Sequence, residues 1–239
     1  MSLTDDLCKS SDLREKEKKL CYEFASNILD LLADLGKKGY LRSELKLEKE
    51  EEERRNFMNV LWNIRKVNHA FNMFFDMYAE KVKPDSKQRL KKFLELNKPY
   101  GMTEEDLRYL LYSEMIFVFL LNAEEFRSAL LFAMKLDKDE YINEKTTLGT
   151  LLWRLRDLGI NKSEVLDDID YELRNGLSHG LFWFHEKADE HHSKPHLHYS
   201  KDLTFMDMDW IDIAELYVKM RRQSLYTNCL LNVIGDWFT

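Results

Sequence analysis

Glycine and proline are scarce in this chain, 8 and 3 among 239 residues. So few turn-formers cannot punctuate a barrel or sandwich of many short strands, and long helices are expected instead. Cysteine is scarce as well. Cys8, Cys21 and Cys229 are an odd, scattered set without paired spacing, which speaks against a disulfide framework or a cysteine metal knuckle and for reduced thiols. Apolar runs are short: the longest, Met115 to Leu121, is bounded by Glu114 and Asn122 and falls far below the ~20 residues of a membrane helix. No basic-then-apolar pattern opens the N-terminus, so a cytoplasmic protein without a membrane partner is expected. Positive charge is in deficit, with a net charge of −7 and a pI near 5.6. That excludes a broad basic face for long duplexes; DNA is not expected, and any nucleic-acid contact should be local.

What the chain does have is apolar periodicity. Its 14 Phe, 11 Tyr and 5 Trp provide for a packed core. Leu20, Phe24, Ile28, Leu31 and Leu35 recur at helical spacing and predict a helix over 11–35, ended by Gly36 and Gly39. A long charged helix is predicted over 43–82 and a short one from Pro84 to Asn97, before the punctuation Pro99-Tyr100-Gly101. Thr103 with Asp106 predicts an N-cap for a helix to about Leu121, continued after a kink over 124–136. Leu110, Leu111, Met115, Ile116, Phe117, Val118 and Phe119 put that helix at the centre of the core.

Further helices are predicted over 147–158, from Asn161 or Ser163 to His179, and from an Asp209 cap to about Trp237. Leu181 to His185 and His196 to Phe205 read as extended segments around a polar loop. The expected fold is all-α, a bundle of about six to eight helices with a small β-hairpin or extended loop after the 161–179 helix. The expected division is an N-terminal helical segment, 1–100, and a helical core, 101–239.

The informative motif is Arg174-Asn175-Gly176-Leu177-Ser178-His179. Arginine presents a planar fork of donors to phosphate oxygens, histidine moves a proton near neutral pH, and asparagine orients either partner. On a regular helix, at about 100° per residue, Asn175 and His179 share a face while Arg174 lies roughly 140° from His179. A structural alternative uses the same residues: His179 in the last turn before a Gly180 C-cap, and Arg174 paired with Asp170 at i−4. Secondary cation candidates for substrate are Arg154 and Arg156 on the preceding helix and Arg221 and Arg222 on the last, with the Ser178 hydroxyl inside the motif.

With Gly180 and the aromatic run Phe182-Trp183-Phe184 behind it, the motif resembles the signature of the HEPN superfamily, whose active members are metal-independent ribonucleases. The resemblance covers the motif helix firmly and residues 103–239 loosely. It implies attack of a ribose 2′-hydroxyl on its adjacent phosphate, giving a 2′,3′-cyclic phosphate and a 5′-hydroxyl. His179 would be the acid or base, Arg174 would stabilise the phosphorane, and Asn175 would position the phosphate or the histidine. No cofactor is implied. The implied setting is a prokaryotic toxin or phage-defence system, with RNA as substrate, a homodimer, and an antitoxin or other regulatory protein as partner. The dimer would also bring diverging Arg174 and His179 side chains together, burying part of Leu173, Leu177 and the aromatics between protomers. Two alternatives stay open: a non-catalytic module of the same fold that binds a nucleotide or a partner, and a helical interaction protein without an active site.

A second cluster lies downstream, where His185, His191, His192, His196 and His198 stand among Glu186, Asp189 and Glu190. On a strand, His196 and His198 point to one side, as a metal requires. Without an HExxH motif or paired cysteines the segment reads as a polar loop, and no metal is expected.

Overall fold

The computed structural model describes residues 15–42, 101–135, 140–143, 145–160, 163–185 and 194–236, together with the single helical positions Asn59, Lys66, Lys92, Glu95 and Leu96. The helices predicted over 43–82 and from Pro84 to Asn97, and the histidines His191 and His192, lie outside this set apart from those single positions. Among the described residues the elements run α1 (Glu15–Lys37), α2 (Glu104–Ala133), α3 (Leu148–Asp157), α4 (Ser163–Ile169), α5 (Tyr171–Ser178), β1 (Phe182–His185), β2 (His196–Ser200), β3 (Met208–Asp212) and α6 (Ile213–Asp236).

Helix α2 starts where its cap requires. The Thr103 side chain accepts from the Asp106 amide at 3.1 Å, and Asp106 accepts from the Thr103 amide at 2.7 Å, a reciprocal capping box. The helix continues without interruption through the expected kink to Ala133, about 45 Å. Its length lets it serve two cores. The C-terminal half packs with α1, α3, α4 and the end of α6 around Ile28, Phe126, Leu151 and Tyr226. The N-terminal half packs with α5, the sheet and the start of α6 around Met115, Phe119, Leu173 and Leu197. Leu110 and Phe117, read as core, are exposed on the opposite side. Residues 15–42 share the first core with the C-terminal residues, and Leu41 bridges Met134 at the end of α2.

The all-α expectation is corrected. The three strands form one antiparallel sheet in the order β1-β2-β3, so the fold mixes helices with a sheet. The hairpin of β1 and β2 matches the extended segments read from sequence, although β2 ends at Ser200. The third strand falls where a helix cap was expected at Asp209. Ile211 lies opposite Leu197 in register, and both are buried in the second core. That pairing holds Met208–Asp212 extended and delays α6 to Ile213.

The single helix expected from 161 or 163 to 179 is also corrected. It breaks at Asp170, which takes the left-handed conformation (φ 38°, ψ 75°) and caps α5 by accepting from the Leu173 amide at 3.1 Å. Three residues on one face of α6 hold the break. Lys219 pairs with Asp170 at 2.6 Å and Arg222 with Asp168 at 2.6 Å. Buried Gln223 donates to the carbonyls of Asp168 and Ile169 at 2.9 and 3.0 Å, taking up the ends that the broken helix leaves open.

Candidate functional site: a cationic pocket around the motif

Helix α5 is short and pinned at both ends. At its C-terminus Gly180 (φ 68°) bonds back to the Leu177 carbonyl at 3.2 Å, and the Leu181 amide to the Gly176 carbonyl at 3.0 Å. This is a Schellman ending, with His179 as the cap residue, as the structural alternative expected. In its middle, Gly176 rests on β2: a Cβ there would lie 2.7 Å from the Ser200 carbonyl oxygen. The glycine of the motif therefore permits a close helix–strand approach. Leu173 and Leu177 are buried within the chain, facing the sheet.

Arg174, Asn175 and His179 line one pocket of about 550 Å³. Arg174 and His179 both line this pocket within a single chain. Arg174 Nη1 donates to Asn175 Oδ1 at 3.0 Å, drawing the guanidinium to the face that Asn175 shares with His179 one turn later. The other guanidinium arm pairs with Glu124 of α2 instead of the expected Asp170, which is taken by Lys219. Arg174 Nε is buried without a hydrogen-bond partner.

The remaining walls come from elements that the motif did not indicate. Arg127 donates to Glu124 at 2.9 Å and to the Thr146 carbonyl at 3.1 Å. Lys145 stands on the loop before α3. Thr147, Leu148, Gly149 and Thr150 present the first turn of α3, capped by Thr147 and free of acidic residues. A helix N-terminus carries partial positive charge and unpaired amides, a ready anion site. Tyr171 closes one side, its ring 3.3 Å from where a Gly149 Cβ would stand. Among the described residues, three cations thus line the pocket against one carboxylate, Glu124. Beside it, burial first and the Glu124 charge second push the Glu125 carboxyl up to about 7, with Arg127 opposing. Only the Thr147 helix start had a local signal; Arg127, Lys145 and Glu124 reach the pocket through tertiary packing.

The secondary candidates lie elsewhere. Arg154 pairs with Asp157 and stacks over Tyr141, and Arg156 pairs with Asp167 at 2.9 Å. Arg222 serves the α4–α5 junction, and Arg221 on the same helix does not line the pocket. Ser178 is exposed and donates to the Asn175 carbonyl at 3.1 Å. His185, His196 and His198 gather on the sheet, outside the pocket's lining. No described helix is long and apolar enough to cross a membrane.

Compared with known proteins, the chain matches no family model, no curated protein and no solved structure. The chemistry of the pocket is that of its own residues. They set cationic side chains and the N-terminus of α3, groups that suit an anion, beside an exposed imidazole.

Proposed function

We propose that this protein is a metal-independent ribonuclease of the HEPN kind, acting through the pocket of Arg174, Asn175 and His179. One observation carries the reading: the three motif residues share a pocket with the α3 N-terminus, Arg127 and Lys145. A phosphodiester bound against the α3 amides would exchange places with Glu124 as the partner of Arg174. His179 then takes the 2′-hydroxyl proton as that oxygen attacks phosphorus, or returns a proton to the departing 5′ oxygen. Arg174 stabilises the charge on the phosphorane. Need for a 2′-hydroxyl selects RNA over DNA. A second copy of the chain, an antitoxin-like regulator, a toxin or phage-defence role and a cytoplasmic setting belong to the same proposal. A dimer would set two complete pockets side by side.

The test is incubation of end-labelled RNA with the full chain in EDTA, beside His179→Ala and Arg174→Ala. Cleavage is expected from the wild type, with products ending in 2′,3′-cyclic phosphate. His179→Ala should be slower by about 10²–10⁴-fold, the usual contribution of a general acid or base. Intact RNA under all conditions, including after removal of co-purified protein, overturns it.

The Glu124–Arg174 pair favours a second reading, a non-catalytic nucleotide-binding module in which Arg174 is held by protein. Nucleotide binding without cleavage, indifferent to His179→Ala, is its signature.

A further inference from the structure

The sheet has a second face. In antiparallel pairing, residues directly opposite each other share a side, as do residues two apart on one strand. His185 lies opposite His196, Trp183 opposite His198, and His198 opposite Trp210. The three histidines and two tryptophans therefore stand together, on the side away from Leu197 and Ile211.

The imidazoles are close and ordered by their neighbours. One nitrogen from each of His185, His196 and His198 lies within 4.8 Å of the others. His185 stacks on His196 with ring centroids 5.0 Å apart, and Trp183 stacks on His198 at 4.8 Å. His196 is fully buried, and its Nδ1 lies 2.9 Å from the Lys194 carbonyl oxygen. A carbonyl only accepts, so Nδ1 carries the proton and Nε2 presents its lone pair. Metal-binding histidines are oriented in this way by an outer partner. That lone pair faces His198 Nε2 at 3.2 Å. Two nitrogens bound to one ion at ~2.0–2.1 Å with a tetrahedral angle lie roughly 3.3–3.4 Å apart. The separation thus matches the bite of two imidazoles on one ion, and a rotamer adjustment of half-buried His185 brings in the third. Asp212, opposite His196 in register, lies nearby and is paired with Lys194 at 3.8 Å.

We infer that His185, His196 and His198 form a binding site for a divalent transition metal of the zinc class, with a fourth coordination position that no other described side chain fills. Imidazole ligands suit zinc and its first-row neighbours, and three protein ligands with one open position are a stable tetrahedral arrangement. The ion ties β1 to β2 next to the segment that joins them. The site is separate from the pocket proposed for RNA.

The test uses the full chain without an affinity tag, stripped of metal and titrated with cobalt(II) and, separately, zinc(II). One equivalent is expected, with the visible bands of tetrahedral cobalt and a thermal midpoint raised by about 5–10 °C at a hundredfold excess over Kd. His185→Ala and His198→Ala remove half-buried ligands and leave buried His196 in place. Each should weaken binding by at least the ~10–100-fold seen on losing an outer-shell partner, and should lose the thermal shift. His179→Ala should bind as the wild type does. If His198→Ala fails to fold, as its melting without metal would reveal, His185→Ala decides alone. Absence of stoichiometric binding in the wild type overturns the inference, leaving the His196–His198 contact as a hydrogen bond. Unchanged affinity in the ligand variants overturns it equally. RNA enters none of these readouts, so the site and the ribonuclease proposal stand or fall separately.

Discussion

Glu124 and Arg174, fifty residues apart in sequence, form a salt bridge inside the motif pocket, and Arg127 holds the same carboxylate from its other side at 2.9 Å. The pocket's cations are thus partly neutralised from within. Glu124→Gln removes that charge and frees the Arg174 arm. Inorganic phosphate or a nucleoside 3′-monophosphate should then bind about tenfold more tightly at low salt, equivalent to about 1.4 kcal/mol, and the gain should shrink as salt rises. Calorimetric titration measures it. Equal affinities would mean that Arg174 does not contact the anion.

Gly176 sets how closely α5 approaches β2. Alanine is the better helix former by about 1 kcal/mol, but overpacking typically costs about 1–3 kcal/mol. Here the Cβ would meet backbone atoms of Ser200 at 2.7 and 3.2 Å, which cannot swing aside as a side chain does. The clash should win. Gly176→Ala is expected to lower the thermal midpoint despite its helix propensity, by about 2–4 °C per kcal/mol of net loss. A midpoint equal to or above the wild type's would show that the strand gives way.

Asp170 combines a left-handed backbone, a helix cap and the Lys219 ion pair. Asparagine keeps the capping oxygen and tolerates the conformation; alanine does neither. Denaturant unfolding should rank the wild type first, Asp170→Asn a little below it, and Asp170→Ala lower by about 0.5–2 kcal/mol. The reverse order of the two variants would remove the cap and the backbone conformation as the cause.

Glu125 makes stability depend on pH. Its folded pKa, raised to about 7 from the ordinary 4.5, means the folded state holds this proton more tightly than the unfolded chain does. Stability from this group is therefore complete below about 4.5 and is lost as pH rises through about 7. The thermal midpoint should fall between pH 5 and pH 8, and Glu125→Gln should flatten that fall. Because the Glu124 charge contributes to the shift, Glu124→Gln should reduce it as well. An unchanged profile in Glu125→Gln assigns the pH dependence elsewhere.

The helices were legible because their signals are local. Thr103 and Asp106 mark the start of α2, Thr147 the start of α3 and Gly180 the end of α5, each within a few residues of the atoms it satisfies. Two of the misreadings, at Asp170 and at Met208–Asp212, have partners far away. Lys219, Arg222 and Gln223 hold the break at Asp170 from some fifty residues downstream, and Leu197 on β2 holds Ile211 extended. A local pattern can neither overrule such pairings nor anticipate them.

The same division runs through both sites. By itself the sequence determined that Asn175 and His179 share a helix face, because α-helical geometry depends only on spacing. It determined too that His196 and His198 share a strand face once that segment is extended, because side chains alternate along a strand. Tertiary structure decided the rest. Glu124 and Arg127 reach the motif because α2 crosses α5, and the α3 N-terminus reaches it through the loop carrying Lys145. His185 meets His196 because the register of β1 on β2 places them opposite each other. Charge neutralisation and metal-like geometry depend on distances of a few ångströms between residues far apart in the chain, and packing sets those distances.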